Sequence, residues 1–236
     1  MTGSEGALTC LVTGGNKGIG LETVRRLRAA GHVVYLGSRD LERGRLASED
    51  VGARPVALDV TSEDSVRAAA GTILDEVEHL DVLVNNAGIT GPLRDVHDYD
   101  ATDAAAVMMT DVVGYVRVIH AFLPLLEQAN DPRIVNVSSG LGSLTLAHDE
   151  SRIESHAGTP LYSAAKSAIN MLTVRYAQLL PGIRINAADP GMTATDLSGG
   201  EGHSVANGAD AILAFALGGP DTPTGAYRDR EGDLPW

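Results

Sequence analysis

Short apolar runs alternate along this chain with longer stretches in which apolar residues recur every three or four positions. This alternation predicts strands separated by helices. The short runs are apolar throughout, which is typical of strands in a parallel sheet that helices cover on both faces. We therefore predict an α/β fold with a doubly wound parallel sheet of about seven strands. The predicted strands are residues 8–13, 32–36, 54–58, 80–84, 133–137, 183–187 and 225–228, and the predicted helices are 18–30, 40–50, 62–77, 101–128, 161–180 and 209–217.

Length and charge narrow the class of protein. The 236 residues fit one α/β domain, so we predict a single domain over residues 1–236. The net charge of −13 disfavours a nucleic-acid partner, because phosphates would be repelled. The N-terminus lacks a basic segment followed by an apolar one, and we find no run of about 18 apolar residues that predicts a membrane span. Cys10 is the single cysteine, so no intrachain disulfide can form, and we expect a cytoplasmic protein without a membrane partner.

A glycine-rich turn joins the first predicted strand to the first predicted helix. It reads Thr13-Gly14-Gly15-Asn16-Lys17-Gly18-Ile19-Gly20. Glycines let a pyrophosphate approach the free amides at the start of a helix. Such a turn can also be no more than a tight connection. Its position between a strand and a helix favours dinucleotide binding.

Three further blocks follow the turn in a characteristic order. They are Asn85-Asn86-Ala87-Gly88 after the fourth strand, Tyr162-Ser163-Ala164-Ala165-Lys166, and Pro190-Gly191 with Thr195 after the sixth strand. With the T-G-x-x-x-G-x-G turn, these blocks resemble the short-chain dehydrogenase/reductase family over nearly the whole chain. The glycine turn, Ser38-Arg39-Asp40 and the ending are most similar to monomeric carbonyl reductases. The resemblance implies a Rossmann-type fold that binds a nicotinamide dinucleotide.

The resemblance also implies where the cofactor binds. Arg39 and Arg43 follow the second strand, where an NAD-selective pocket carries a carboxylate. Guanidinium groups suit a 2′-phosphate, so this pair favours NADP(H); the alternative is a solvated helix start. Asp59 resembles the residue that contacts adenine, and Thr195 the residue that binds the nicotinamide carboxamide. The implied cofactor set is Gly14, Asn16, Lys17, Gly18, Ile19, Gly20, Arg39, Arg43, Asp59, Val60, Asn85, Ala87, Gly88, Tyr162, Lys166, Pro190, Gly191, Thr193 and Thr195.

Reduction of a carbonyl group needs a proton donor as well as a hydride. Lys166 lies four residues after Tyr162, hence on the same helix face, where its charge is expected to lower the pKa of the phenol. Tyr162 is therefore the predicted proton donor. Ser139, at the carboxyl end of the fifth strand, is predicted to stabilise the substrate oxygen, with Ser138 as the alternative one position away.

Two features depart from the family pattern. Asp111 stands in Thr110-Asp111-Val112-Val113-Gly114, where the family has a catalytic asparagine, and we include it in the predicted catalytic set. Tyr162 follows Ser139 by 23 positions, more than in most of the family. The extra segment, about residues 147–158, is predicted to be a surface flap at the substrate entrance. Its histidines and carboxylates are interpreted as a solvated polar loop, and no metal site is predicted.

These residues together predict NADPH-dependent reduction of an aldehyde or ketone to an alcohol. The chain has no G-x-S-x-G elbow to support a hydrolase. Two alternatives stay open: an NADP-dependent alcohol dehydrogenase acting oxidatively, and a weakly catalytic regulatory protein that senses the cofactor. Segments 89–96, 141–146 and 192–208 are mostly apolar or small, which favours a non-ionic carbonyl substrate. The polar flap favours a monomer over a homo-oligomer.

Overall fold

Seven strands form one sheet in the order β3-β2-β1-β4-β5-β6-β7, in a computed structural model that describes residues 6–236. Every neighbouring pair is parallel, so the predicted doubly wound α/β fold is confirmed. The expectation of no signal peptide rests partly on residues 1–5, which lie outside the described residues. The strands are β1 Thr9–Thr13, β2 Val33–Ser38, β3 Arg54–Ala57, β4 Val82–Asn85, β5 Arg133–Val137, β6 Arg184–Ala188 and β7 Tyr227–Arg228.

Helices cover both faces of the sheet, and each face has its own core. The helices of the described residues are α1 Gly18–Ala29, α2 Leu41–Val51, α3 Glu63–Leu74, α4 Ala101–Met108, α5 Gly114–Leu126, α6 Leu144–Ala147, α7 Pro160–Leu179 and α8 Val205–Ala216. One core contains buried residues of α3 and α5 with Ala177 of α7, and the other contains buried residues of α1 and α8. Along β1, Leu11 faces the first core while Cys10 and Val12 face the second. Two-sided burial explains why the middle of this strand, residues 10–12, is apolar on both faces.

The topology places a crevice beside β1. This strand pairs with β2 on one side and with β4 on the other, so the crossovers leave its carboxyl end in opposite directions. Open α/β sheets bind ligands at such a switch point, outside the carboxyl ends of the strands. The glycine-rich turn after Thr13 and the block that begins at Asn85 both start there.

Several helix boundaries differ from the prediction. The helix predicted over 62–77 begins after Ser62, whose hydroxyl accepts a hydrogen bond from the Ser65 amide, but it ends at Leu74. The helix predicted from residue 209 already begins at Val205, because Ser204 caps it. The long helix predicted over 101–128 is α4 and α5 joined by a π-helical turn, Met109–Val113.

The stretch Ala101–Leu126 also meets the length and hydropathy criteria of a membrane-spanning helix. Core helices of globular proteins pass the same test. Here Val118, Ile119 and Phe122 are buried against the sheet with the first core. The stretch is therefore explained by packing inside the fold.

Candidate active site

A groove of about 490 Å³ follows the carboxyl ends of β1, β2 and β4. Most of the predicted cofactor residues line it, although they come from five separate parts of the chain. The predicted residues in its walls are Gly14, Asn16, Lys17, Gly18, Ile19, Gly20, Arg39, Arg43, Asp59, Val60, Ala87, Gly88 and Thr195.

The glycine-rich turn forms the wall next to α1. Gly14 and Gly18 have φ values of 62° and 55°, which favour glycine. A Cβ atom on Gly20 would lie 2.5 Å from the Gly14 carbonyl oxygen and from Nδ2 of Asn86. The first turn of α1 has no side-chain cap, since Lys17 occupies the N-cap position. Its free amides and the positive end of the helix dipole fit an anionic phosphate group.

Exposed cations stand at both ends of the groove. Arg39 and Arg43 line the end beyond β2, and Arg43 is paired with Asp40, with 3.3 Å between Nε and Oδ2. Arg39 has no carboxylate within ion-pair distance in the part of the chain that the structure describes. Lys17 instead reaches across to Asp196, with 2.7 Å between Nζ and Oδ2. Lys17 belongs to the implied cofactor set, and its contact with a cofactor would compete with this exposed pair.

Asn85, which the resemblance includes in the cofactor set, does not line the groove. Its side chain is fully buried, and Nδ2 donates to Oδ1 of Asn136 on the neighbouring strand at 3.0 Å. Asn86 lines the groove instead, and its Nδ2 donates to the carbonyl oxygens of Thr13 and Gly14 at 2.9 and 3.2 Å. Asn85 thus joins β4 to β5, while Asn86 fastens the glycine-rich turn.

The segment after β6 supports the groove from the other side. Thr195 lies in its wall, and Cγ2 would be 3.4 Å from a Cβ atom on Gly18. Thr193 is buried, and its hydroxyl donates to the carbonyl oxygens of Pro190 and Gly191 at 3.2 and 3.1 Å. Pro190, Gly191 and Thr193 therefore stabilise the backbone of the turn and do not line the groove. Within this block, only Thr195 and its neighbours reach the groove.

Lys166 is the centre of a second cluster, at the carboxyl end of β5. It lies on α7 with only 3% of its side chain exposed. Its Nζ atom donates to the carbonyl oxygen of Val137 at 3.0 Å and lies 5.2 Å from the ring centroid of Tyr162. Tyr115 flanks the ammonium at 5.5 Å and donates its hydroxyl to the same Val137 oxygen at 3.1 Å.

Asp111 faces this lysine directly. It lies in the π-helical turn between α4 and α5, and its side chain is fully buried. Oδ1 accepts a hydrogen bond from the Ile89 amide at 2.8 Å, and Oδ2 lies 3.4 Å from Nζ of Lys166. A Cβ atom on Gly88 would lie 2.9 Å from Oδ2, so this glycine admits the carboxylate. The position predicted from the family pattern is thus next to Lys166.

The structure distinguishes the two candidate serines. Ser138 is buried, and its hydroxyl donates to Oδ1 of Asn170 at 2.5 Å. Ser139 is only partly buried, and its hydroxyl accepts a weak hydrogen bond from the Leu141 amide at 3.3 Å. Ser139 therefore keeps a donor for a substrate oxygen, whereas Ser138 has none to spare.

Known proteins match this chain in sequence and in fold. The family model described as short chain dehydrogenase matches residues 8–205. The chain is 32% identical to the short-chain dehydrogenase/reductase tropE of Talaromyces stipitatus, over 95% of this chain and 92% of the relative. It is 30% identical to the (-)-isopiperitenone reductase of Mentha piperita, over 95% and 96%. The NADPH-bound carbonyl reductase from chicken fatty liver superposes with a TM-score of 0.84 at 26% identity, over 98% of this chain and 99% of that one.

The chain belongs to the short-chain dehydrogenase family. The family uses a nicotinamide cofactor, and this short-chain dehydrogenase is an oxidoreductase. The groove fits that cofactor, because a free helix N-terminus, bare glycine backbone and exposed cations line one continuous cavity.

Burial sets the acid–base properties of the catalytic cluster. Burial raises the pKa of Tyr162, Lys166 lowers it, and Asp111 and Asp189 raise it again. The expected lowering by Lys166 is therefore outweighed in the protein alone. Burial opposes the charge on Lys166, but Tyr115, Tyr162 and Asp111 together raise its pKa above the usual range. Tyr162 is consequently a neutral phenol, and Lys166 an ammonium, throughout the neutral range.

Asp189 is a buried carboxyl that the sequence analysis missed. It directly follows β6, and its Oδ1 accepts a hydrogen bond from the Gly191 amide at 2.8 Å. Burial raises its pKa to about 6, while backbone hydrogen bonds from Gly191 and Gly140 partly oppose that rise. Its position before Pro190 was a usable signal, because the carboxyl ends of parallel strands gather functional side chains.

The extra segment after α6 lies on the surface, with most of its residues exposed. His148 bonds to the carbonyl oxygen of Leu144 through Nδ1, and His156 to that of Glu150 through Nε2. Glu154 turns back toward Ser139: its Oε1 would lie 2.7 Å from a Cβ atom on Gly140. Within residues 6–236, no group of three His, Cys, Asp or Glu side chains could hold a metal ion.

Proposed function

We propose that this short-chain dehydrogenase reduces an aldehyde or ketone to an alcohol with NADPH, and that Tyr162 donates the proton. The observation that carries the proposal is the buried ammonium of Lys166 beside the Tyr162 ring, next to a groove that ends in arginines. Relatives named as a carbonyl reductase and an isopiperitenone reductase support the same reaction class.

The preference for NADPH follows from the charges beyond β2. Asp40, a carboxylate at this end of the groove, caps α2 by accepting from the Arg43 amide and also pairs with the Arg43 side chain. It is therefore occupied, and is a poor acceptor for a ribose 2′-hydroxyl. The guanidinium of Arg39 is exposed and free to bind a 2′-phosphate.

The chain's own contribution to the chemistry is acid catalysis and orientation. The nicotinamide supplies the hydride. Tyr162 donates its phenolic proton to the carbonyl oxygen, and Ser139 donates a hydrogen bond to the same oxygen as negative charge develops on it. Lys166 stabilises the phenolate that remains on Tyr162 until a solvent proton replaces the one transferred.

The substrate side of the site favours a non-ionic molecule. Leu93, Leu144 and Met192 are exposed in the three segments that are expected to line it, at 69%, 66% and 47%. Exposed large apolar side chains near a catalytic cluster are typical of a site for apolar ligands. We therefore expect apolar ketones or aldehydes to be better substrates than carboxylated ones.

The test is NADPH consumption with a panel of aldehydes, quinones and cyclic ketones, alongside the reverse reaction with the matching alcohols. Turnover of several carbonyl compounds at neutral pH, faster with NADPH than with NADH, is the expected result. Oxidation without measurable reduction would support the oxidative dehydrogenase instead. Tight NADPH binding without turnover in either direction would support a cofactor-sensing protein, the alternative favoured by the Asp111 carboxylate facing Lys166.

We also propose that the protein is a monomer. The surface segment before α7 carries exposed His148, Asp149, Glu150 and Arg152, which would obstruct a dry helix–helix contact. Light scattering at micromolar protein should report a mass near 24.6 kDa. A stable tetramer would show that this segment does not prevent assembly.

A further inference from the structure

The segment Asp229–Trp236, here called the tail, returns from the sheet edge to the catalytic serine loop. It turns back where the Asp229 amide donates to the Gly232 carbonyl oxygen at 3.1 Å and the Gly232 amide donates to Oδ1 of Asp229 at 2.9 Å. The Leu234 amide then donates to the Tyr227 carbonyl oxygen at 2.8 Å. The indole of Trp236 then stacks on the Tyr227 ring, with centroids 5.1 Å apart and planes at 23°.

Tyr227 connects this tail to Ser139. It is 2% exposed, and its hydroxyl donates to the backbone carbonyl oxygen of Ser139 at 2.7 Å. The same oxygen accepts a hydrogen bond from the Gly142 amide at 2.8 Å. The peptide plane that follows the catalytic serine is therefore held by a tyrosine 88 positions away in sequence.

The tail also holds the next part of the loop. The carbonyl oxygen of Pro235 accepts from the Ser143 hydroxyl at 2.7 Å. That of Trp236 accepts from the amide and the hydroxyl of Thr145, at 3.2 and 2.9 Å. The hydrogen bonds from Tyr227, Pro235 and Trp236 thus all reach the loop of residues 139–145. None of these three residues lines the cofactor groove.

We propose that Tyr227 and Trp236 are positioning residues for Ser139: the stacked pair fixes the backbone from which the serine hydroxyl reaches the substrate oxygen. The inference rests on the proposed function, since it assigns Ser139 to the carbonyl. The physical basis is that a catalytic hydroxyl must be held within about 0.5 Å of its productive position. The hydrogen bond that the Ser139 hydroxyl accepts from the Leu141 amide is long at 3.3 Å, and the other neighbour of this hydroxyl is the Tyr162 phenol, so the direction of the serine hydroxyl depends on the backbone.

The first test removes the hydroxyl of Tyr227 and keeps the stack. Because small misplacements cost up to about 100-fold, we expect Tyr227→Phe to lower kcat roughly tenfold, with the KM for NADPH unchanged. The matched control is Tyr35→Phe, a buried tyrosine on β2 whose hydroxyl contacts Glu76 and Arg54, away from the site. It should lose comparable stability and no activity. Equal kcat losses in the two variants would reduce Tyr227 to a structural role.

A double-mutant cycle shows whether the effect passes through Ser139. Ser139→Ala should retain a measurable rate, about 10²–10³-fold below wild type. In that background Tyr227→Phe should have no further effect on kcat, because the hydroxyl that it positions is gone. A second, full tenfold loss would overturn the proposal. Trp236→Phe keeps an aromatic ring on Tyr227 and should preserve kcat. Trp236→Ala should lower kcat as much as Tyr227→Phe does. Equal kcat values for the two Trp236 variants would show that the stack does not position Ser139.

A measurement without turnover keeps this test separate from that of the proposed function. Hydrogen exchange of the backbone amides of residues 140–145 should accelerate in Tyr227→Phe, while the amides of the glycine-rich turn keep their rates. Unchanged exchange in the serine loop would refute the positioning role even if no panel carbonyl is reduced. Accelerated exchange with an inactive wild type would overturn only the reaction proposed.

Discussion

The cofactor groove and the catalytic cluster use charge in opposite ways. Lys17 in the groove is 63% exposed and pairs with Asp196, which is 78% exposed, so solvent screens their attraction. Lys166 and Asp111 are 3% and 0% exposed, with 3.4 Å between Nζ and Oδ2. Buried charges interact strongly and cannot be removed singly without leaving the partner unpaired.

Because of this difference, we expect mutations in the groove and mutations in the buried cluster to change different properties of the enzyme. An exposed arginine or lysine can gain a phosphate partner with little desolvation, so changes at the groove should alter cofactor affinity and selectivity. A change within the buried cluster should alter proton affinities, and thus the rate and its pH dependence.

The largest effect is expected where the proton leaves. Tyr162→Phe keeps the ring but removes the acid, and general acid catalysis contributes about 10²–10⁴-fold, so kcat should fall by that factor. The dissociation constant for NADPH should change little. Tyr176→Phe, on the same helix but remote from Lys166, is the control and should retain the wild-type rate. Activity of Tyr162→Phe within tenfold of wild type would identify another acid.

Selectivity should change at the exposed end of the groove. Charge-assisted hydrogen bonds contribute about 1.5–3 kcal/mol each, so Arg39→Ala should lower the ratio of kcat/KM for NADPH to that for NADH by roughly 10- to 150-fold. NADH turnover itself should be nearly unaffected. Arg45→Ala provides the control, because Arg45 lies nearby on α2 but pairs with Glu42 and Glu49 outside the groove. Equal discrimination in Arg39→Ala and wild type would exclude the arginine as the 2′-phosphate partner.

Local patterns were sufficient to predict the groove. The strand–turn–helix around Gly14–Gly20 and the strand end at Arg39 carry their signals within a few residues, so the sheet topology alone brings them together. That Asn86 lines the groove and Asn85 does not was not predictable in this way. In a buried strand, which of two adjacent side chains faces the neighbouring strand depends on the register with Asn136.

The catalytic side depends on contacts between distant segments, and much of it escaped prediction. Tyr227 and Ser139 are 88 positions apart, and no periodicity or turn signal connects them. The π-helical turn at Asp111 also lacks a local signature; Met109–Val113 reads as ordinary helix. Asp189 was visible in the sequence, but its importance comes from burial, which the aligned strand ends provide only in the folded chain.

Stability should depend on pH through Asp189. Its pKa in the folded chain, about 6, lies above the ordinary 3.8, so the folded state binds the proton more tightly and stability falls as pH rises through this interval. The shift corresponds to at most about 3 kcal/mol. Asp189→Asn, which stays neutral, should increase the unfolding free energy at pH 8 and leave it nearly unchanged at pH 4. Urea unfolding at both pH values measures this, with the exposed Asp50→Asn as control; a gain that is equal at both would exclude a buried charge as the cause.

The smallest predicted effect concerns the carboxylate that replaces an asparagine. Asp111 raises the pKa of Tyr162, against the pull of Lys166, so it keeps the phenol protonated and favours reduction. Alcohol oxidation needs the phenolate and should rise only at alkaline pH. In Asp111→Asn the amide oxygen can still accept from the Ile89 amide, but the negative charge is gone. The alkaline limb of oxidation should then move down by about one pH unit, which is about 1.4 kcal/mol of differential stabilisation, while reduction near neutrality persists.

The measurement is a pH–rate profile of alcohol oxidation for both proteins with saturating cofactor. Asp64→Asn, whose side chain is 94% exposed on the first turn of α3, controls for loss of a carboxylate away from Lys166. Superimposable limbs, or a limb displaced to higher pH in Asp111→Asn, would mean that Asp111 does not set the proton affinity of Tyr162.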